Sequence, residues 1–286
     1  PPLSQNVIDT TPSGLLLHEP AAMNKHISPP VVSEWCWVGK LAPPLTLLTS
    51  LPRQALLASL HARTRGPLVL LVAPAGYGKT TLLMQWRQAL LSSTPSATVA
   101  WLSLDEADSD PNRFLSYLIL TLDRAGLDLG HLTRLAHAQS LDVQPHRTIT
   151  ALLHALALEN RRVTLFLDDY HAAANAALDA LVQALLEQAA PWLEWAVSAR
   201  ARPGWPLAQW KANGWVHEVF AQALKFTEVE TAEILGPAVS PTEQQHLHAK
   251  TEGWPVAVQL ARLWCANGDA SVYGLSAFSG CIADMA

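Results

Sequence analysis

The chain has 286 residues, of which 50% are apolar and 15% are charged. That length allows two domains of about 150 residues and a sizeable buried core. Nineteen Lys and Arg residues against 24 Asp and Glu residues give a net charge of -5, which excludes a chain whose main surface grips nucleic acid through clustered basic side chains.

The three cysteines, Cys36, Cys265 and Cys281, form no CxxC pair. An odd number without such a pair favours neither a disulfide framework nor a zinc site. The longest apolar runs fall far short of the roughly 20 residues of a spanning helix, and the first residues do not resemble a secretory signal. We therefore expect a cytoplasmic protein with no membrane partner.

Residues 1–45 are rich in proline and show no sustained apolar period, so they are predicted to form a poorly ordered lead-in. From residue 46, short apolar runs alternate with helical patterns. The predicted strands are Leu68 to Val72, Thr98 to Leu104, Val163 to Leu167, Leu193 to Val197 and Val216 to Val219. The predicted helices between and before them are Arg53 to Arg65, Thr80 to Leu91, Arg113 to Ala125, Thr148 to Glu159, Ala176 to Ala189 and Pro206 to Ala212.

This alternation predicts an α/β fold over residues 46–223, because parallel neighbouring strands need crossover connections and helices then cover both faces. Past Phe226 the strands stop. Helical patterns follow at Glu228 to Leu235, Thr242 to Lys250 and Pro255 to Cys265. They predict a small helical domain over residues 224–286, truncated at its end.

The most informative stretch lies between the first strand and the next helix. Gly76 and Gly78 let successive N–H groups turn inward, Lys79 brings a charge to the outer phosphates, and Thr80 can join a Mg²⁺ shell. Ala73 replaces the first glycine of the usual GxxxxGK[ST] pattern, but it remains a small residue. The predicted phosphate-binding residues are Ala73, Pro74, Ala75, Gly76, Tyr77, Gly78, Lys79, Thr80 and Thr81.

Two carboxylates, Asp168 and Asp169, follow the strand that begins at Val163. The carboxyl ends of parallel strands border the crevice where ligands bind in open α/β sheets. Asp168 is predicted to hold Mg²⁺, directly or through water, and Asp169 to orient or deprotonate an attacking water. The alternative is a pair of solvated acids at a strand end.

Arg200 follows the next strand, where its guanidinium can sense the γ-phosphate. Exposed arginines at strand ends are common, so a surface role is the alternative. Arg53, ahead of the first strand, either contacts nucleotide or caps a helix. His171 follows the acidic pair and is predicted to pack rather than to touch the site, and Asp110 is predicted to cap the helix that starts at Pro111.

Seven stretches carry a resemblance to a known family. They are LPRQALLASL from Leu51, LVLLVAPAGYGKTTLLMQW from Leu68, VAWLSLDEADSDPNRFLSYLI from Val99, VTLFLDDYH from Val163, WAVSAR from Trp195, LKFTEVETAEIL from Leu224 and EGWPVAVQLA from Glu252. In this order they resemble the nucleotide-binding region of the MalT-like, LuxR-type ATP-dependent transcriptional regulators, which belong to the STAND class of signalling ATPases.

The resemblance implies a P-loop NTPase core of the ASCE/STAND type followed by a helical and winged-helix region. It also implies that Gly253, Trp254 and Pro255 form the family's GxP-type motif, with Pro255 approaching the adenine side of the nucleotide. Full-length members end in a DNA-binding helix-turn-helix that these residues do not include. The lead-in before Leu51 does not match the family's usual start.

The resulting hypothesis is a switch that binds ATP with Mg²⁺ and hydrolyses it slowly, using Lys79, Asp169 and Arg200. Its expected partners are ATP or ADP, a small-molecule or protein effector of the full-length protein, DNA only through the missing domain, and further copies of the chain in a nucleotide-dependent manner. Two alternatives stay open: a P-loop phosphotransferase acting on a small molecule, and a remnant that binds nucleotide or a partner without hydrolysis.

Overall fold

The computed structural model describes residues 35–45, 50–63, 66–141 and 144–266. Most of the predicted lead-in, residues 1–34, and the end of the predicted helical domain, residues 267–286, therefore lie outside the described residues. The domain limits inferred from the sequence remain predictions.

Five parallel strands form one sheet in the order β2-β3-β4-β1-β5 within the described part of the chain. The strands are β1 (Leu68–Val72), β2 (Thr98–Ser103), β3 (Val163–Asp168), β4 (Leu193–Ala199) and β5 (Val216–Phe220). Each lies where the sequence predicts it, because short apolar runs bounded by turn residues identify buried strands. The parallel sheet is confirmed.

Eleven α-helices accompany the sheet in the described ranges. They are α1 (Gln54–Arg63), α2 (Lys79–Ser93), α3 (Pro111–Arg124), α4 (His131–His137), α5 (Pro145–Glu159), α6 (Ala176–Ala189), α7 (Leu207–Ala212), α8 (Ala221–Leu224), α9 (Glu228–Leu235), α10 (Pro241–Thr251) and α11 (Pro255–Ala266). The sequence does not predict α4 or α8, which have seven and four residues, because so few residues show no helical period. The predicted cap of α3 is confirmed, since the Asp110 carboxylate accepts from the Arg113 amide at 2.8 Å.

The sheet separates two hydrophobic cores. Leu68 and Leu70 of β1 join the core that α3, α5, α6 and α7 help to form, whereas Val69 and Leu71 join the core formed with α1 and α2. Alternate residues of a strand point to opposite faces, so each face of β1 is covered by helices. The prediction that helices cover both faces of the sheet is confirmed.

Residues 35–41 pack against this fold, although the sequence places them in the lead-in. Val38–Leu41 form a 3-10 turn. The Lys40 side chain is only 4% exposed and lies 2.6 Å from Asp108 and 2.7 Å from Asp105. A buried ammonium group is stable only when it is paired, so this contact explains how a segment without apolar periodicity is held in place.

Helices α9, α10 and α11 share a smaller core built on Leu235, Leu247 and Ala261. Capping boxes at Thr227 and Ser240 start α9 and α10, since each side chain accepts from the third amide of its helix. The predicted helical part after the sheet is confirmed for the described residues. No helix in the described ranges is both long and apolar enough to cross a bilayer.

Candidate nucleotide-binding site

The loop between β1 and α2 is shaped by two glycines. Gly76 and Gly78 have φ angles of 77° and 75°, a left-handed conformation that residues with a Cβ rarely adopt. The loop is fixed at its start, where the Ala73 amide donates to the Ala199 carbonyl oxygen at 3.2 Å. The start of α2 thus faces the carboxyl end of the sheet, where its free amides and dipole favour an anion.

Lys79 is buried inside this loop with a side chain that is 6% exposed. Its Nζ donates to the carbonyl oxygens of Ala73 at 2.8 Å and Pro74 at 2.9 Å. Burial lowers the pKa of Lys79, which Asp169 partly opposes. Because these two carbonyl partners are neutral, they do not cancel the positive charge of the ammonium group, which can attract a phosphate. The residues present therefore fit a phosphate group.

Asp168 ends β3 and is almost fully buried. Its Oδ1 accepts hydrogen bonds from Thr80 Oγ1 at 3.1 Å and from Ser198 Oγ at 2.5 Å. Burial raises the pKa of Asp168, although the bond from Ser198 opposes the change. The two side chains predicted to bind metal, Thr80 and Asp168, therefore meet in the structure.

Hydroxyl and carboxylate oxygens are ligands that Mg²⁺ accepts, and this ion usually binds through one or two protein side chains together with substrate phosphates. The donor set of Thr80 and Asp168 fits that pattern. No cluster of three or more His, Cys, Asp or Glu side chains in the described residues is arranged to hold a metal ion alone.

Asp169 lies beside Asp168 but in a different environment. Its backbone is left-handed, with φ 56° and ψ 39°, and its amide donates to Ser198 Oγ at 3.0 Å. Its side chain is 47% exposed, and its Oδ1 lies 3.8 Å from His171 Nδ1. One carboxylate of the pair is thus buried against Thr80, whereas the other faces solvent, where a water molecule can reach it.

Arg200 follows β4 directly and is exposed. Its neighbour Ala199 pairs with Val72 in the sheet register, so Arg200 begins a loop next to the phosphate loop. Its positive charge contributes to lowering the pKa values of Lys79 and His171. The structure therefore brings Lys79, Asp168, Asp169 and Arg200 to one end of the sheet.

A cavity of about 660 Å³ extends the site away from the acidic pair. This volume lies within the range of roughly 300–1,000 Å³ found for small-molecule sites. Its walls include Tyr77 and Thr81 from the loop region, Leu56 from α1, and Pro255 and Val256 from α11. Apolar walls beside a phosphate-binding loop can hold a nucleobase.

The helical region forms one wall of this cavity by direct contact with the loop. The Val256 amide donates to the Gly76 carbonyl oxygen at 3.1 Å. The rings of Tyr77 and Trp254 lie 6.3 Å apart between centroids. The start of α11, including Pro255, is thereby held at the loop.

Arg53 lines the same cavity, but its guanidinium is bound to protein groups. Its Nε lies 2.8 Å from Glu230 in α9, and its terminal nitrogens donate to the carbonyl oxygens of Leu224 at 2.9 Å and Lys225 at 3.1 Å. These carbonyl oxygens lie at the end of α8, so the Arg53 side chain caps that helix, which is one of its two expected roles. A direct contact of Arg53 with nucleotide remains a prediction.

The sequence analysis missed Ser198, which contacts both Asp168 and the amide of Asp169. It is the one hydroxyl-bearing residue in the apolar strand β4, and this isolated polar position near the strand end was the available signal. His171 was expected to pack. Its side chain is 21% exposed and close to Asp169, so it borders the site.

Comparisons with known proteins agree with this geometry. A family described as Novel STAND NTPase 5 matches residues 38–151. The serine/threonine-protein kinase PknK of Mycobacterium tuberculosis is 30% identical over 236 residues, which are 80% of this chain and 21% of PknK. The transcriptional regulator MalT of Serratia proteamaculans is 32% identical over 240 residues, which are 81% of this chain and 25% of MalT.

The chain thus spans about a quarter or less of the length of these relatives. Among solved structures, the Orc1 protein of Aeropyrum pernix in complex with DNA matches with a TM-score of 0.50 and 14% identity over 82% of this chain and 66% of Orc1. At that identity the likeness concerns the fold alone. Residues 38–151 therefore match a family of STAND NTPases, and the chain is similar in sequence to segments of MalT and PknK.

Proposed function

We propose that this chain binds ATP with Mg²⁺, hydrolyses it slowly, and serves as the switch of a signal-responsive transcriptional regulator in the cytoplasm. The observation that carries the proposal is the meeting of Thr80 with Asp168 at 3.1 Å beside the buried Lys79. These groups match the phosphate and metal contacts that nucleotide hydrolysis needs.

Each side chain has a distinct task in this proposal. Lys79 exchanges its bonds to the loop carbonyl oxygens for bonds to the outer phosphates of the nucleotide. Thr80 and Asp168 hold Mg²⁺, which supplies neutralisation of phosphate charge when it is bound. Asp169 accepts a proton from the attacking water, and its exposure gives water access to it. Arg200 contacts the γ-phosphate from the neighbouring strand end.

The contacts of the helical region favour a function as a switch over ATP turnover alone. It contacts the loop through Val256 and the start of the sheet domain through Arg53 and Glu230. A nucleotide in the cavity would touch both parts, so ATP and ADP can stabilise different arrangements of them. In a full-length protein, an effector would bias the same equilibrium, DNA would be bound by a separate helix-turn-helix, and self-association would follow the ATP-bound arrangement.

The test is steady-state turnover of ATP by the chain, measured with and without Mg²⁺ and with a panel of small phosphate acceptors. The proposal predicts slow release of inorganic phosphate that needs Mg²⁺ and does not need an acceptor. Phosphate transfer to an acceptor would support a phosphotransferase instead. Binding of ATP without any phosphate release would support a non-hydrolysing module.

A further inference from the structure

The carboxylate of Asp179, in the first turn of α6, joins two parts of the site. Its Oδ1 accepts from the Tyr170 hydroxyl at 2.6 Å, and its Oδ2 accepts from the Gly204 amide at 2.9 Å. Tyr170 directly follows Asp169 in the chain. Gly204 lies in the loop that begins at Arg200.

Further contacts show that this junction is tightly packed. Tyr170 is fully buried, and its ring lies 4.9 Å from that of Trp205, the residue after Gly204. A Cβ built on Gly204 would approach Asp179 Oδ2 to 2.7 Å, so a larger residue there would displace this carboxylate oxygen. The Tyr170 turn and the Gly204 loop thus share one half-buried carboxylate as their common partner.

We propose that Asp179 is a positioning residue that holds the Asp169 turn and the Arg200 loop in one arrangement. The inference rests on the proposed function, since it assigns Asp179 a role through Arg200 and the γ-phosphate. Two donors on one carboxylate fix the separation of the segments that carry them, because both bonds are charge-assisted and directional. Loss of the carboxylate therefore releases the loop from the turn, and Arg200 no longer reaches the γ-phosphate in its productive geometry.

The experiment measures the affinity of the full 286-residue chain for a non-hydrolysable ATP analogue and for ADP by calorimetry. The ratio of the two affinities reports the γ-phosphate contact. Arg200→Ala should lower this ratio about tenfold, as expected for a lost charge-assisted bond. Asp179→Ala should lower it by a similar factor, and the double variant should lower it no further, because both changes remove the same contact.

Asp179→Asn is the conservative variant. Its amide oxygen can accept from the Gly204 amide while its NH₂ group donates to the Tyr170 hydroxyl, so the ratio should recover. Tyr170→Phe keeps the ring against Trp205 and removes only the bond to Asp179, so it should also lower the ratio. It provides the same test should Asp179→Ala fail to fold.

The outcomes separate the two proposals. A purely structural role for Asp179 would weaken ADP and the analogue equally and leave the ratio unchanged, which overturns the inference. Multiplied losses in the double variant would overturn it as well, while the role of Arg200 would stand. An unchanged ratio in Arg200→Ala would show that Arg200 does not sense the γ-phosphate. That result would overturn both the role of Arg200 in the proposed function and the positioning role of Asp179.

Discussion

The Val256 amide donates to the Gly76 carbonyl oxygen at 3.1 Å, which joins the first turn of α11 to the middle of the phosphate loop. The two residues are 180 positions apart in the chain. Because this bond uses a backbone group of the loop itself, a loop rearrangement that accompanies nucleotide binding reaches the helical region directly. Under the proposed function, this contact links nucleotide binding at the loop to the helical region.

Substitution of Gly76 tests this contact. Gly76 and Gly78 share a left-handed backbone, and an L-residue there costs about 1–2 kcal/mol. A Cβ on Gly76 would lie 2.6 Å from Val256 Cγ1, whereas a Cβ on Gly78 would meet nothing within 4 Å. Gly76→Ala should therefore lower the free energy of unfolding by more than Gly78→Ala does, as measured by urea denaturation.

The matched glycine variants separate backbone strain from the contact. Adding Val256→Ala should relieve part of the Gly76→Ala defect and none of the Gly78→Ala defect, because only the first involves the valine side chain. Equal losses in Gly76→Ala and Gly78→Ala would mean that the helical region does not press on the loop in solution.

Lys79→Ala removes the only charged side chain of the phosphate loop. A charge-assisted contact is worth roughly 1.5–3 kcal/mol, so nucleotide affinity should fall about tenfold or more. Calorimetric titration with ATP measures this change. Lys211→Ala, which removes an exposed lysine far along the chain in α7, is the control and should bind ATP normally. Unchanged affinity in a folded Lys79→Ala protein would contradict the phosphate-binding role.

The two carboxylates should respond differently to the same substitution. Asp169→Asn should still bind ATP and Mg²⁺, while hydrolysis falls by the roughly 10²–10⁴-fold that a positioned base contributes. Asp168→Asn loses a proposed metal ligand next to Thr80, so higher Mg²⁺ should partly restore its turnover. Turnover measured across a Mg²⁺ titration distinguishes the variants. If neither variant responds to Mg²⁺ and both lose ATP binding equally, the assigned division of roles is wrong.

His171 should make stability depend on pH. Burial lowers its pKa, Asp169 opposes this, and Arg200 and Lys79 lower it further. As the pH falls through about 6.5, the folded state therefore binds fewer protons than the unfolded state. The free energy of unfolding should consequently decrease as the pH is lowered. Urea denaturation on either side of that pH measures the drop.

His171→Gln should show a smaller drop than the unmodified chain, because the substituted side chain does not titrate. The exposed His146→Gln variant serves as the comparison. The same drop in the His171→Gln protein as in the unmodified chain would assign the pH dependence to other groups.

The strands, most helices and the phosphate loop of this protein could be predicted from the amino-acid sequence, because these features depend on local patterns. Apolar runs, a 3.6-residue period and the spacing of Gly76, Gly78 and Lys79 act within a few residues of chain. The position of Asp168 and Asp169 at a strand end was likewise readable, since all parallel strands end at the same edge.

Contacts between distant side chains could not be predicted in this way and were found in the folded chain. It places β4 between β1 and β3, so Ser198 reaches Asp168 and Arg200 lies beside the phosphate loop. It turns Arg53 towards Glu230 and seats Val256 on Gly76. Strand order and side-chain pairing depend on how the cores on both faces pack, and packing between distant segments leaves no periodic signal in the chain.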